Sequence, residues 1–358
     1  MIIEGFLKFQ GYKIWYRVAK SAISGSATPV LLLHGGPGMG SDYFEPLEAM
    51  ADQGRTVIRF DQLGCGRSDR PRNLSLWTIQ SCMDQTDSVR TALGLDQIHL
   101  VGHSWGGMVA LEYLLARPLG VQSACLCSPA FSVQFWVKET LRLRSLMPSY
   151  ISNALEQYEK FYQPPKAPEP NAKPARSLTQ WEIDLMASIL SIIYQLISRP
   201  LAARIASWWM SNVPLLRAFA YEILSIQFYR KHLCRLQPMP FGIFRMLAGR
   251  NKEIYETLMG PSEFFCPGLL KDWDIRPRLP EICCPTLILS GRYDEATPAQ
   301  MEVLKKEIAG SEQVILEKSA HCGMFEEPEN FRAAILDFIK RVESGYVKPK
   351  LKNADVLP

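Results

Sequence analysis

The chain has 358 residues, of which 47% are hydrophobic and 21% charged, and this composition excludes a disordered or fibrous protein. Its 40 basic and 36 acidic residues give a net charge of +4 and are spread along the chain. No dense basic block indicates a nucleic-acid partner, so none is expected. The length allows one large domain, or one domain that carries an insertion.

The cysteines and the N-terminal segment indicate in which cell compartment the protein is located. The nine cysteines form no C-x-x-C pair and no metal-ligand spacing, which favours free thiols in a reducing environment. Charges at Glu4, Lys8 and Lys13 interrupt the N-terminal segment, so no signal peptide is expected. The charge-free apolar stretch 185–198 is shorter than the roughly 20 residues that a membrane-spanning helix needs. We therefore expect a cytoplasmic protein.

The N-terminal part alternates predicted strands and helices. A hairpin is expected first, with strands at 2–9 and 13–18 around Gly11. Further strands are predicted at 30–34, 56–61, 98–102 and 121–127, and helices at 41–52, 78–93 and 105–116. Repeated βα units of this kind predict a largely parallel, doubly wound sheet with helices on both faces.

The pattern changes after the first 130 residues. Between 131 and 279 the sequence indicates helices, including 181–197 and 201–224, and almost no strands, while the proline-rich stretch 163–177 is typical of a loop or mobile linker. Strands at 284–290 and 313–316 and helices at 298–308 and 329–342 then resume the βα pattern. We therefore predict an α/β core, formed by residues 1–130 and 281–358, with a helical cap at 131–280. The cap should lie over the carboxyl ends of the strands, where such sheets bind ligands.

The segment from Gly102 to Gly106 has the pattern G-x-S-x-G, and it lies between a predicted strand and a predicted helix. This is the context of a nucleophile elbow, in which a sharp turn exposes a serine hydroxyl. Glycines on either side relieve the crowding of such a turn. The sequence therefore predicts that Ser104 is a catalytic nucleophile.

A serine hydroxyl needs a base, and the base needs an orienting acid. The chain order of this arrangement is nucleophile, acid, base, which leaves His232 and His321 as candidate bases. His321 lies in a loop of small residues between the last strand and the last helix, whereas His232 lies in a basic helical region where a surface or capping role is expected. Asp294 follows a core strand and precedes His321, so we predict it as the acid.

The loop His34-Gly35-Gly36-Pro37-Gly38 follows an earlier strand. Its glycines allow backbone N–H groups to approach a reacting carbonyl. An oxyanion hole is predicted from the N–H of Trp105, which follows the nucleophile, and the N–H of Gly36.

Five motifs together resemble the proline iminopeptidases, which are serine peptidases of the α/β-hydrolase fold that remove N-terminal proline, and in some members other residues, from peptides. They are HGGPG (34–38), DQLGCGRSD (61–69), GHSWGG (102–107), GRYDEATP (291–298) and SAHCGMFEEPENF (319–331). The resemblance covers roughly residues 5–130 and 255–342, and it is weak across 131–252. It implies an α/β-hydrolase core with a cap larger than that of compact family members.

The resemblance also implies two carboxylates that bind the substrate's protonated amine. Glu263, in the segment MGPSEF, resembles the family's amine-binding glutamate, and Glu295 matches the second one. A buried ammonium left unpaired would be costly, so carboxylates suit this role.

The leading interpretation is a serine exopeptidase that acts on short peptides with a free N-terminus. No cofactor or metal is expected, and the chain contains no H-E-x-x-H motif of a zinc peptidase. An esterase, amidase or lipid hydrolase would use the same triad, and a non-enzymatic ligand-binding protein could share the fold. The apolar cap could also lie on a membrane surface, an interpretation that the sequence alone does not favour.

Overall fold

The computed structural model describes residues 1–22, 27–165, 168 and 172–346. Its centre is an eight-stranded sheet with the strand order β1-β2-β4-β3-β5-β6-β7-β8. The strands are β1 (Ile2–Phe9), β2 (Tyr12–Ala19), β3 (Val30–Leu33), β4 (Val57–Phe60), β5 (Ile98–His103), β6 (Val121–Cys127), β7 (Thr286–Gly291) and β8 (Glu312–Leu316). The first two strands form the predicted antiparallel hairpin, and β2 also pairs antiparallel with β4. All the other pairings are parallel, which confirms the predicted fold class.

The central strands are apolar along their whole length because helices cover both faces of the sheet. Every residue of β3, β5 and β7 is buried, and the sequence of β3 is VLLL. The carboxyl ends of these parallel strands meet at one edge, and the loops that follow them carry the predicted site residues. The α-helices are α1 (Ile79–Ala92), α2 (Trp105–Leu115), α3 (Val133–Ser145), α4 (Ser149–Glu159), α5 (Gln180–Ile197), α6 (Pro200–Asn212), α7 (Arg217–His232), α8 (Phe241–Ala248), α9 (Lys252–Leu258), α10 (Pro298–Glu307), α11 (Gly323–Glu326) and α12 (Pro328–Glu343).

Two predicted helices differ from the structure, and proline is the reason in both. Residues Ser41–Gln53 form 3₁₀ turns with Pro46 inside, because proline supplies no N–H for an α-helical hydrogen bond. The single helix predicted over 201–224 is divided into α6 and α7 by a 3₁₀ turn at Pro214–Leu216. Proline at the first position of that turn ends the preceding helix and starts the next segment.

Seven helices, α3 to α9, lie between β6 and β7, and no strand occurs in the described part of this segment. Buried side chains of α3, α4, α6 and α7 form an apolar cluster of their own, whose largest members include Phe228 and Phe264. Buried side chains of α5, α8 and α9 join the two clusters that also contain the core strands. In the proline-rich stretch, residues 166, 167 and 169–171 lie outside the described residues, and Ala175 pairs with the backbone of Arg70. The domain limits predicted from the sequence stay a prediction.

The motif at 61–69 contains a buried ion pair, and the same loop makes hydrogen bonds to the cap. Arg67 donates from its backbone N–H and from Nε to Asp61 Oδ2, both at 2.8 Å, and its guanidinium also reaches Gln180 on α5 at 2.5 Å. Burial opposes ionisation of Asp61, but the charge and hydrogen bonds of Arg67 outweigh it and lower the pKa of this carboxyl. The N–H of Gly66 in the same loop donates to the carbonyl of Gly249, which follows α8.

All nine cysteines are free, and seven of them are buried. Within the described ranges, no single helix has both the length and the hydropathy to cross a membrane. Helices α5 and α6 meet these criteria only as a pair, and their axes are bent by 85°.

Replacing Arg67 by methionine should lower the free energy of unfolding at neutral pH by about 3–5 kcal/mol, because Asp61 would be left buried without a cation. The pKa of Asp61 is lowered in the folded state, so the pair stabilises the protein at neutral pH and loses that contribution as the pH falls. Urea unfolding at pH 7 and at acidic pH measures both effects.

The matched control is Arg72→Met. Arg72 pairs with Glu253, but its side chain is 39% exposed, so this change should cost far less stability than Arg67→Met. Equal losses for the two variants would contradict a special role for the buried pair.

Candidate active site

Ser104 lies in the sharp turn between β5 and α2, with φ 55° and ψ −120°. Non-glycine residues rarely adopt a positive φ, so the surrounding contacts must hold this conformation in place. The neighbouring glycines show how closely the turn packs: a Cβ on Gly106 would overlap the carbonyl oxygen of Leu33, and a Cβ on Gly102 would overlap that of Gly106. The predicted elbow is therefore present, and its glycines are required by close backbone contacts.

Asp294 and His321 are joined by a hydrogen bond of 2.8 Å between Oδ1 and Nδ1. Asp294 is 1% exposed, and it accepts further hydrogen bonds from the N–H of Ala296 at 2.8 Å and from Ser128 Oγ at 2.5 Å. Because a carboxylate only accepts, the proton lies on His321 Nδ1, and Nε2 is left as an acceptor. This arrangement fits a base that is oriented by an acid.

Ser104 and His321 line the same cavity, which has a volume of only about 50 Å³. Within the described structure no hydrogen bond joins the two side chains. Catalytic contacts of this kind are often loose before substrate binds, so the geometry is compatible with the predicted roles. Two residues of the cap, Leu233 and Met246, contribute to the lining of this cavity.

A chain of hydrogen bonds beneath this cavity connects three loops. The N–H of Gly35 donates to Tyr43 Oη at 2.6 Å, Tyr43 Oη lies 3.0 Å from His103 Nδ1, and His103 Nε2 lies 3.0 Å from the carbonyl of His321. The carbonyl can only accept, so His103 carries its proton on Nε2 and accepts from Tyr43. Burial lowers the pKa of His103 well below its usual value, with a smaller contribution from His321, which keeps His103 neutral.

The glycine-rich loop is fixed by His34 at its start. His34 Nε2 accepts from the N–H of Gln62 at 2.9 Å, and Nδ1 donates to the carbonyl of Gly35 at 2.8 Å. Burial lowers the pKa of His34, so the ring keeps one donor and one acceptor.

In the described part of the chain, the backbone N–H groups of Gly36 and Trp105 donate to no protein acceptor. Both predicted oxyanion donors are therefore free.

The two predicted amine-binding carboxylates line the same cavity as Ser104. Glu295 is 1% exposed, and its Oε2 has no hydrogen-bond partner among the described residues. Burial raises the pKa of Glu295 well above its usual value, and the nearby carboxylates of Glu263 and Asp294 add to the rise. Glu263 accepts from Tyr255 Oη at 2.5 Å; desolvation raises its pKa, and this hydrogen bond opposes the rise.

An ordinary buried acid would find a donor within the protein. Here one carboxylate oxygen of Glu295 has no partner among the described residues, and a second carboxylate lines the same small cavity, which favours protonation until a cation binds. The arrangement suits recognition of an ammonium group close to Ser104.

Sequence reasoning missed a contribution from the cap. The backbone carbonyl of His232, the last residue of α7, accepts from the N–H of Glu295 at 3.3 Å and from the N–H of His321 at 3.2 Å. The N–H of Cys322 donates to the carbonyl of Leu233 at 2.9 Å. The predicted surface or capping role of His232 is therefore incomplete, because its main chain positions both loops that carry the candidate acid and base.

Ser128 and Tyr43 were also missed. Ser128 follows β6, and its place at the carboxyl end of a core strand was the only signal in the sequence. Tyr43 lies within the 3₁₀ segment and had no signal, since its contacts come from residues distant in sequence.

Comparison with known proteins shows the family of this chain. Residues 28–328 match the family model of the α/β-hydrolase fold, so the chain belongs to that family. The chain is 32% identical over 344 residues to the proline iminopeptidase of Heyndrickxia coagulans, covering 96% of this chain and all of that protein. Identity is also 32% to the proline iminopeptidase of Saccharolobus solfataricus, over 95% of this chain and 93% of the relative.

The crystal structure of a proline iminopeptidase from Mycobacterium smegmatis superposes with a TM-score of 0.74 at 29% identity, covering 96% of this chain and all of that one. Within the α/β hydrolases, the chain is thus a member of the proline iminopeptidase family, as its motifs indicated.

Glu295→Gln should stabilise the protein increasingly as the pH rises. The pKa of Glu295 is raised in the folded state, so between the unfolded pKa of about 4.3 and the folded pKa the wild type loses stability with rising pH. The slope reaches at most about 1.4 kcal/mol per pH unit for one group. Glutamine has no charge to bury, so the variant avoids this loss.

Thermal unfolding from pH 4.5 to pH 8.5 tests this expectation. The control Glu307→Gln changes an exposed side chain at the end of α10, and it should leave the pH dependence of the wild type intact. A constant difference between Glu295→Gln and the wild type at all pH values would contradict the burial argument.

Proposed function

We propose that this chain is a serine exopeptidase that releases N-terminal proline from short peptides. The observation that carries the proposal is Glu295, which lines the same small cavity as Ser104 and His321 and whose Oε2 has no partner within the described part of the chain. The proline iminopeptidases of Heyndrickxia coagulans and Saccharolobus solfataricus, which the chain resembles along nearly its whole length, support the same activity.

In this proposal Ser104 Oγ attacks the carbonyl of the first residue of the peptide. His321 Nε2 takes the hydroxyl proton and later gives it to the leaving amine, while Asp294 holds the ring and stabilises its charged form. Water then enters, loses a proton to His321, and hydrolyses the acyl-enzyme. The mechanism uses neither a metal nor a cofactor.

Negative charge develops on the carbonyl oxygen when the serine adds to it. The free N–H groups of Trp105 and Gly36 would stabilise this oxyanion. A Cβ on Gly35 would lie 3.2 Å from the Cβ of Ser104, so the glycine-rich loop passes directly beside the nucleophile. Backbone donors would stabilise the oxyanion without requiring any side chain to move.

Exopeptidase specificity requires a group that detects the free amine. The triad and the oxyanion hole act on any acyl group, so the rejection of internal peptide bonds must come from the end of the pocket. Glu263 and Glu295 would bind the protonated amine of proline, and the cation would remove the repulsion that raises the pKa of Glu295. Only a substrate with a charged N-terminus would therefore gain binding energy from these two carboxylates.

The nine free cysteines support a cytoplasmic location, because a reducing compartment keeps such thiols unpaired.

Ser104→Ala should reduce kcat on a prolyl arylamide by about 10⁴- to 10⁶-fold, because the covalent step is lost. Thermal unfolding should change little. The matched control is Ser290→Ala, in a buried serine of β7 whose hydroxyl has no partner in the described structure, and its activity should stay within about twofold of wild type. A Ser104→Ala enzyme that kept a tenth of the activity would refute the assignment.

Glu263→Gln and Glu295→Gln should each lower kcat/KM on prolyl substrates by about 10- to 150-fold, since a hydrogen bond to a charged group contributes roughly 1.5–3 kcal/mol. Small neutral esters without an amine should react almost as in the wild type, because the triad is untouched. These esters therefore serve as the internal control for folding and chemistry.

N-acetylation of the substrate should produce a similar loss in the wild type and little further loss in either glutamine variant, since both changes remove one interaction. Equal cleavage of prolyl and N-acetylprolyl substrates by the wild type would instead favour an esterase or amidase.

A further inference from the structure

Helix α5 is apolar on both of its sides. Ile183, Ala187 and Tyr194 are buried and face the protein interior. The opposite side exposes large apolar side chains at helical spacing: Trp181, Leu185, Met186, Ile189, Ile192, Ile193 and Leu196. A surface helix in a globular protein normally carries polar residues there.

Helix α6 repeats the pattern. Ala203, Ala206 and Met210 are buried, whereas the other side exposes Leu201 by 68%, Ile205 by 41% and Trp208 by 59%. We call the exposed apolar side chains of α5 and α6 the cap stripe. Isolated exposed apolar residues need no explanation, but two such stripes on consecutive helices indicate a surface that binds something.

Most of the cap stripe lies on a segment of the chain without acidic residues. No aspartate or glutamate occurs in residues 185–221, and the exposed Arg199 and Arg204 form no ion pair within the described part of the chain. The two acids at the start of α5 lie in ion pairs, Glu182 with Arg176 and Asp184 with Arg245, which also pairs with Glu45. An apolar surface with unpaired arginines and exposed tryptophans complements an anionic membrane surface.

We propose that the cap stripe binds the surface of a lipid bilayer that contains anionic lipids. The helices would lie in the interface and not cross it, because their inner sides are packed in the protein's apolar clusters and their axes are bent by 85°. Apolar side chains of such helices enter roughly 5–10 Å into the headgroup and acyl boundary.

A second copy of this chain is the competing occupant of the stripe, and the charges disfavour it. In a symmetric dimer each copy would bring the same surface, so Arg199 and Arg204 would meet a segment without carboxylates. A bilayer with acidic headgroups supplies the missing negative charge. This proposal is independent of the peptidase activity, because none of the stripe residues lines the cavity of Ser104.

Flotation of the full chain with vesicles tests the proposal. Vesicles of phosphatidylcholine with phosphatidylglycerol should carry the protein upward, and vesicles of phosphatidylcholine alone should carry less of it. The variant Ile189→Glu/Ile192→Glu/Leu196→Glu should lower the partition coefficient by at least about 100-fold, since it removes apolar contact and adds repelling charge. These three side chains are exposed, so the fold should be kept, as circular dichroism would verify.

The matched control makes three equivalent changes away from the cap, Ile2→Glu/Phe6→Glu/Leu119→Glu. These side chains are also exposed, two on the edge strand β1 and one in the turn before β6, and vesicle binding should be unchanged. A second variant, Arg199→Gln/Arg204→Gln, should weaken binding to anionic vesicles by about fivefold per arginine and leave binding to neutral vesicles as it was.

Two results would overturn the proposal. One is a full chain that floats with neither vesicle type. The other is an oligomer, seen by size-exclusion chromatography with light scattering, that the triple glutamate variant of α5 converts to monomers, because the stripe would then be an interface between copies. Hydrolysis of a neutral ester should stay at the wild-type level in every stripe variant, which separates a failure of this proposal from a failure of the proposed activity.

Discussion

The arrangement of the site depends on one directional chain of hydrogen bonds through Tyr43 and His103. It runs from the N–H of Gly35 through the phenol and the imidazole to the carbonyl of His321. A neutral imidazole has one donor and one acceptor, so each bond in the chain fixes the direction of the next. Burial keeps both members neutral, since it raises the pKa of Tyr43 and lowers that of His103. A charged His103 would lose its acceptor, and the glycine-rich loop would lose its link to the loop of His321.

The same dry environment has an opposite consequence at Glu295. Exclusion of water keeps His103 neutral and useful as a structural link, but it also makes an ionised carboxylate unfavourable, which raises the pKa of Glu295. Proteins commonly accept such a local loss of stability where a ligand later supplies the missing partner. The Oε2 of Glu295 has no partner among the described residues, and the ammonium group of the proposed substrate would provide both a donor and an opposite charge.

The sequence predicted those features whose signals are local. The strand β3 is recognisable from its run of apolar residues, and the elbow from the glycines at 102 and 106, each of which is required by a close backbone contact. Tyr43 and the carbonyl of His232 act across large sequence separations, and nothing in their immediate neighbours indicates their partners. The break at Pro214 is a different case, because proline is a local signal that a helix ends. The predicted helix continued through it because the apolar residues on both sides keep a helical spacing.

Hydropathy alone also fails to orient α5 and α6, because both sides of each helix are apolar. Side-chain volume resolves the ambiguity in α6: its buried side contains Ala203 and Ala206, which allow neighbouring helices to approach closely, while the bulky Trp208 is left outside. The inner side is thus already packed, so the outer apolar residues contribute little to the folding of the cap. The folding of the cap therefore does not explain the bulky apolar side chains on its outer surface, whereas binding to a lipid bilayer would explain them.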